Sequence, residues 1–171
     1  MSGSGISRRT VVAASLGAAF ASVAALPLLA QTAPPRFSRI IVDVRPLYAK
    51  GLGPFADALR AALEAELARN FGDRLGGGRN APRLVVRITG VSMASYVGRD
   101  GGRFFGGGVP NDYLEGEALV VAPNGQILAR HPQLSALPAN SGGAWYDPAS
   151  EQRRVVALAA HYAGWLRRSP I

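Results

Sequence analysis

The chain has 171 residues, 48% of them apolar, with 19 basic against 11 acidic side chains and a net charge of +8. That length allows one ordinary domain with enough apolar content for a core, and too much for disorder throughout. With no cysteine at all, a disulfide scaffold, a Cys-ligated zinc or iron–sulfur site, a thiol nucleophile and a lipidated N-terminal Cys are excluded.

Residues 1–10 carry the adjacent Arg8 and Arg9 and no acid, and residues 11–30 carry no charge. A positive start, an apolar stretch and a small residue before a polar break make a secretory signal. Leu28 and Ala30 suit the subsites of signal peptidase, and the helix-breaking Pro27 precedes them, so cleavage is expected after Ala30. Ser7-Arg8-Arg9-Thr10-Val11-Val12 resembles the twin-arginine (Tat) export motif, with Val in place of the usual Phe and Leu. The resemblance covers only the signal, and the mild, Ala-, Gly- and Ser-rich apolar stretch agrees with it. It implies a bacterial protein exported already folded, with the Tat machinery and signal peptidase as its partners on the way. Two alternatives stay open: Sec export, and an uncleaved inner-membrane anchor, since the uncharged stretch can just span a bilayer. Cleavage would remove Arg8 and Arg9 and so leave a net charge two lower than the full chain's +8.

Residues 31–38 read as a Pro-rich lead-in and residues 39–171 as a single domain. Residues 39–45 predict a strand, with Ile40, Val42 and Val44 on one face and Pro46 ending its ladder. Residues 54–71 predict a helix whose inner side is Phe55, Leu59, Ala62, Leu63, Leu67 and Phe71. A second strand spans 82–91, with Leu84, Val86 and Ile88 inward. After a Gly-rich loop over 96–113, a third strand spans 114–122, and a fourth begins over 127–130. Between them Pro123-Asn124-Gly125-Gln126 is a hairpin turn, because Asn and Gly tolerate positive φ. Ser150 is expected to cap a last helix that turns Val155, Leu158, Ala159, Tyr162 and Leu166 inward. The order β-α-β-β-β-α predicts a two-layer α+β sandwich: a four-stranded mixed sheet with two helices on one face.

Candidate chemistry is sparse. The 96–113 loop contains Arg99, Arg103, Phe104 and Phe105 among six glycines. No Gly-Lys-Ser/Thr follows, so it is not a phosphate-binding P-loop. It suits an arm that inserts the Phe pair into a partner or lipid interface while the arginines meet anionic groups, or else a plain long loop. Glu115 and Glu117 share one strand face, as acid/base chemistry would require, while Asp112 precedes them. The simpler reading is a solvated face with Arg87 and Arg130 pairing across strands. Glu66, near the apolar side of the first helix, is expected at its rim beside Arg69 or Arg87. His131 and His161 are the only histidines. Neither has a metal-type neighbour at i+3 or i+4, and no Gly-x-Ser-x-Gly elbow occurs, so no metal, cofactor or catalytic triad is expected. The Trp145-Tyr146 pair could stack a sugar or flat ligand, but the simpler reading has Trp145 plugging the open end of the sandwich, and Arg167 and Arg168 read as cations matched to a helix C-terminus.

These residues lead to a non-enzymatic, exported, periplasmic accessory or binding protein of the bacterial cell envelope, contacting a protein partner or an anionic surface. The arginines are scattered and not interleaved with stacking aromatics, so nucleic acid is not an expected partner. In topology the mature domain is similar to the small α/β domains of periplasmic lipoproteins that accompany envelope transport systems, but it lacks their lipidated Cys. The alternative is a periplasmic hydrolase-type enzyme using Glu115 and Glu117.

Overall fold

Alternating β-branched residues produce four strands: β1 (Ile40–Asp43), β2 (Arg83–Ser92), β3 (Asn111–Val121) and β4 (Ile127–Pro138). They come from a computed structural model that describes residues 35–95, 110–144 and 146–171. The strands lie side by side in chain order, β1 parallel to β2 and the remaining pairs antiparallel, so the sheet is mixed. A right-handed crossover is the expected connection for a parallel pair, and it carries α1 (Arg45–Ala49) and α2 (Gly53–Phe71); α3 (Ser150–Arg168) follows β4. The element types and their order are those expected, with one addition. The first ladder ends at Asp43, before Pro46, which is instead an early residue of α1, where its fixed φ suits a helix start and Leu47 is fully buried.

One face of the sheet makes the core. Val42, Leu84, Val86, Ile88, Leu114, Ala118 and Val120 meet Leu59, Leu63, Leu67 and Phe71 of α2 and Val155, Leu158, Ala159, Tyr162 and Leu166 of α3. These are the inward positions that the period-2 and period-3.6 patterns select. Gly116 lets Tyr162 lie flat on β3: a Cβ there would stand 2.5 Å from the Arg87 carbonyl and 2.8 Å from the Tyr162 hydroxyl. Burial pushes the Tyr162 phenol above its ordinary range, and the Glu117 carboxylate adds to the effect.

Several boundaries differ from expectation. Phe37, placed in the lead-in, is fully buried, its ring 6.4 Å from Phe71, and it bridges to Leu75. Residues 111–113, placed in the Gly-rich loop, belong to β3. The β3–β4 turn forms as read, with Gly125 at φ 91° and the Asn124 side chain accepting from the Gln126 amide at 3.0 Å. Ser150 is the first residue of α3 rather than its cap; the side chain of Asp147 accepts from the Ala149 amide instead.

The interior also contains a charge pair. Asp112 and Arg154 are both buried, joined by Nε–Oδ2 at 2.8 Å and a second guanidinium contact. Asp112 also accepts from the Ala94 amide at 3.0 Å, and Arg154 donates to the Ala94 carbonyl at 2.9 Å. One pair therefore ties α3, β3 and the exit of β2 together. Gly142 admits the Arg154 stem, since a Cβ there would come within 2.5 Å of its Cγ. Removing one partner leaves a buried charge uncompensated, which costs about 3–5 kcal/mol. Asp112→Ala should lower the unfolding free energy in denaturant by that amount. The double change Asp112→Leu with Arg154→Met should cost clearly less than the two single changes added together.

Candidate functional site

The second face of the sheet is covered by neither α2 nor α3. Its residues are the alternate set: Ile41 and Asp43 on β1, Arg83, Val85 and Arg87 on β2, Glu115, Glu117, Leu119 and Val121 on β3, and Arg130 on β4. Cross-strand register arranges them in rows. The first joins Arg39, just before β1, to Arg83, with Val121 and Ile127 beyond, and a hydrogen bond from the Leu84 amide to the Arg39 carbonyl fixes this end. The second is apolar, Ile41–Val85–Leu119, and the third is charged, Asp43–Arg87–Glu117.

The third row is a ladder of alternating charge across all four strands. Arg45 grips Asp43 with both ends of its fork, at 2.8 and 2.7 Å. Arg87 lies 3.3 Å from Asp43 and 3.3 Å from Glu117, and Arg130 reaches Glu117 at 2.8 Å. The Arg45 hydrogen bonds hold the Asp43 carboxyl well down, at about 2, against the opposing effect of its burial. Glu117 is thus shared between two guanidiniums, and Glu115 stands exposed beside Gly90. The two carboxylates share a face, as their spacing required, and the expected Arg87 and Arg130 partners are in place. That arrangement commits Glu117 to ion pairs within the sheet, while Glu115 has no arginine partner among the described residues.

The first two rows line an open trough of about 610 Å³, within the usual size range of small-molecule sites. Its floor is Ile41, Val85, Leu119, Val121 and Ile127, and it runs over the β1 edge to Tyr48. Leu119 is 3% and Val121 6% exposed. Their cross-strand neighbours include Arg130 and Arg83, whose aliphatic stems can cover apolar floor while the charged heads stay wet. Five arginines and a single carboxylate border the trough. Three of these arginines are paired, Arg45 and Arg87 to Asp43 and Arg60 to Asp57. Arg39 and Arg83 have no carboxylate partner among the described residues.

The other candidates fall elsewhere. Ser7, Arg8, Arg9, Arg99, Arg103, Phe104, Phe105 and Trp145 lie outside the described residues. Glu66 is at a helix rim, paired with Arg69 as expected. His161 is half-buried with its ring edge on Trp165, 6.1 Å between centroids, and desolvation, then the Arg168 charge, lowers its pKa. His131 lies on β4, where it and Trp165 border a second hollow beside α3. Arg168 stacks on Trp165 at 4.5 Å and Arg167 pairs with Asp73. Among the described residues no group of three or more His, Asp or Glu is placed to hold a metal ion, and no helix is long and apolar enough to cross a membrane.

No protein-family model matches the chain, and no curated protein matches it. Among solved structures it is similar to a minor lipoprotein from Acinetobacter baumannii, 13% identical, with a TM-score of 0.43 over 80% of this chain and 92% of that chain.

The ladder makes a pH prediction. The Asp43 pKa is lower folded than unfolded, so its contribution is fully present above the unfolded value and is lost as pH falls from about 4 towards about 2. Asp43→Asn should therefore cost on the order of 2 kcal/mol near neutrality. Below about pH 2 it should cost much less, so denaturant midpoints of variant and parent should converge across that window.

Proposed function

We propose that this chain is a small exported protein of the bacterial cell envelope, periplasmic, that works by binding rather than by catalysis. Its contact is a protein partner or an anionic surface. The observation that carries this reading is the uncovered sheet face, where Asp43 and Glu117 are engaged by arginines while Arg39 and Arg83 have no carboxylate partner among the described residues. Cations of this kind over an apolar floor are suited to holding anions. The Ser7-Arg8-Arg9 signal supports export by the Tat route, with removal after Ala30. Arg99, Arg103, Phe104 and Phe105 supply a second means of contact, cationic and aromatic, of the kind that sits at a lipid interface.

Cell fractionation tests the address. Arg8→Lys with Arg9→Lys should hold the precursor in the cytoplasm, and undiminished arrival in the periplasm would assign export to Sec instead. A full-length band in the membrane fraction would make residues 11–30 an anchor. Vesicle flotation tests the contact. The protein should float with vesicles containing phosphatidylglycerol and not with pure phosphatidylcholine. Phe104→Ser with Phe105→Ser should weaken retention about tenfold, the equivalent of partly withdrawing two aromatic rings from the interface. Equal retention of parent and variant would take these two residues out of the reading.

A further inference from the structure

Arg39 and Arg83 stand next to each other on adjacent strands, and like charges placed this way repel. The same face shows how such charge is normally handled: Arg45, Arg87 and Arg130 each have a carboxylate at 2.7–3.3 Å. The Arg39–Arg83 pair has none among the described residues. What adjoins it is the apolar floor, Val121 in register with Arg83 and then Val85, Leu119 and Ile127. Strands about 4.8 Å apart make that floor roughly 14 Å wide over four strands, long enough for an extended alkyl chain but too open to hold one tightly by itself.

We infer that the trough is a binding site for an anionic amphiphile, a lipid with one anionic head held between Arg39 and Arg83 and an alkyl chain laid across Val85, Leu119 and Val121. This deepens the proposed function by naming the ligand class, and so rests on it. The head would accept hydrogen bonds from two planar guanidinium forks, which suit phosphate or carboxylate oxygens and would relieve the repulsion between the two cations. The Asp43–Arg87–Glu117 row closes the far side of the apolar row. A charged head is therefore directed to the Arg39 end, because at the ladder the guanidiniums already have partners. A free inorganic anion would gain the head contacts without the chain, and a neutral detergent the chain contacts without the head.

The test uses the purified full-length protein and titrates dodecyl phosphate, below its micelle concentration, by calorimetry. Inorganic phosphate, dodecyl maltoside and dodecyltrimethylammonium are run in parallel. Dodecyl phosphate should bind at one per chain, at least tenfold tighter than any of the other three. Arg39→Gln with Arg83→Gln should weaken it at least tenfold. Val85→Ser should weaken dodecyl phosphate and leave inorganic phosphate as it was, with circular dichroism confirming that each variant is folded. Equal affinity for inorganic phosphate would overturn the chain half of the inference, and equal affinity for dodecyl maltoside the head half. A variant lacking both arginines that binds like the parent would move the site elsewhere. If nothing binds while the parent still floats with anionic vesicles, this site is lost and the envelope-binding reading survives; if neither occurs, both are lost.

Discussion

Burying Asp112 against Arg154 takes two charges out of water at a cost of several kcal/mol each, offset by the bonds across the pair and by those to the Ala94 amide and carbonyl. Such a pair tolerates little displacement, and its geometric effect reaches the length of β3. Side chains on a strand alternate between faces, so fixing Asp112 inward also fixes Leu114, Gly116, Ala118 and Val120 inward. Glu115, Glu117, Leu119 and Val121 must then point to the uncovered side. A slip of one residue would bring Glu115 and Glu117 against α3 and expose the core set. The ion pair in the interior therefore decides which residues appear on the uncovered face of the sheet.

A sheet with helices on one side only has to make its second face compatible with water without an apolar cover. Two devices appear here. Near Pro46, the five-membered ladder from Arg45 to Arg130 spans the sheet with alternating charge. Single exposed pairs contribute little, but a network with Asp43 and Glu117 largely shielded holds its side chains in place and keeps this part of the face polar. The long outer strand β4 carries a further guard: Pro132 has no amide proton to offer an incoming strand. Near Arg39 neither device operates, and apolar floor and unpaired guanidinium lie side by side.

Much of this architecture was legible in the sequence because the apolar periods are clean. The inward sets of β2, α2 and α3 could be read from Leu84, Val86 and Ile88, from Leu59 to Phe71, and from Val155 to Leu166. The pairing of Glu117 with Arg87 and Arg130 followed from alternation alone. Three features did not come through. The five-residue α1 is too short to show a period, and Pro46 looked like a strand terminator, although Pro at a first turn followed by Leu47 was a usable signal. The later part of β4 has two prolines and no alternation, so only its start was visible. Asp112 was grouped with Glu115 and Glu117 despite its opposite parity. Arg154 lies four residues from both Ser150 and Leu158, so helical spacing alone puts it on the buried side of α3, but its partner Asp112 follows only from the strand register.

The trough was the hardest feature to read because it depends on what its residues lack. Arg39 and Arg83 are unremarkable in sequence, since any arginine can find a carboxylate on a neighbouring strand. Only the register shows that the first row offers Val121 and Ile127 where the third offers Glu117. The chemistry of the pair matters too: two guanidinium forks present donors only, the geometry that suits carboxylate or phosphate oxygens. What this end of the face presents is guanidinium donors beside apolar surface.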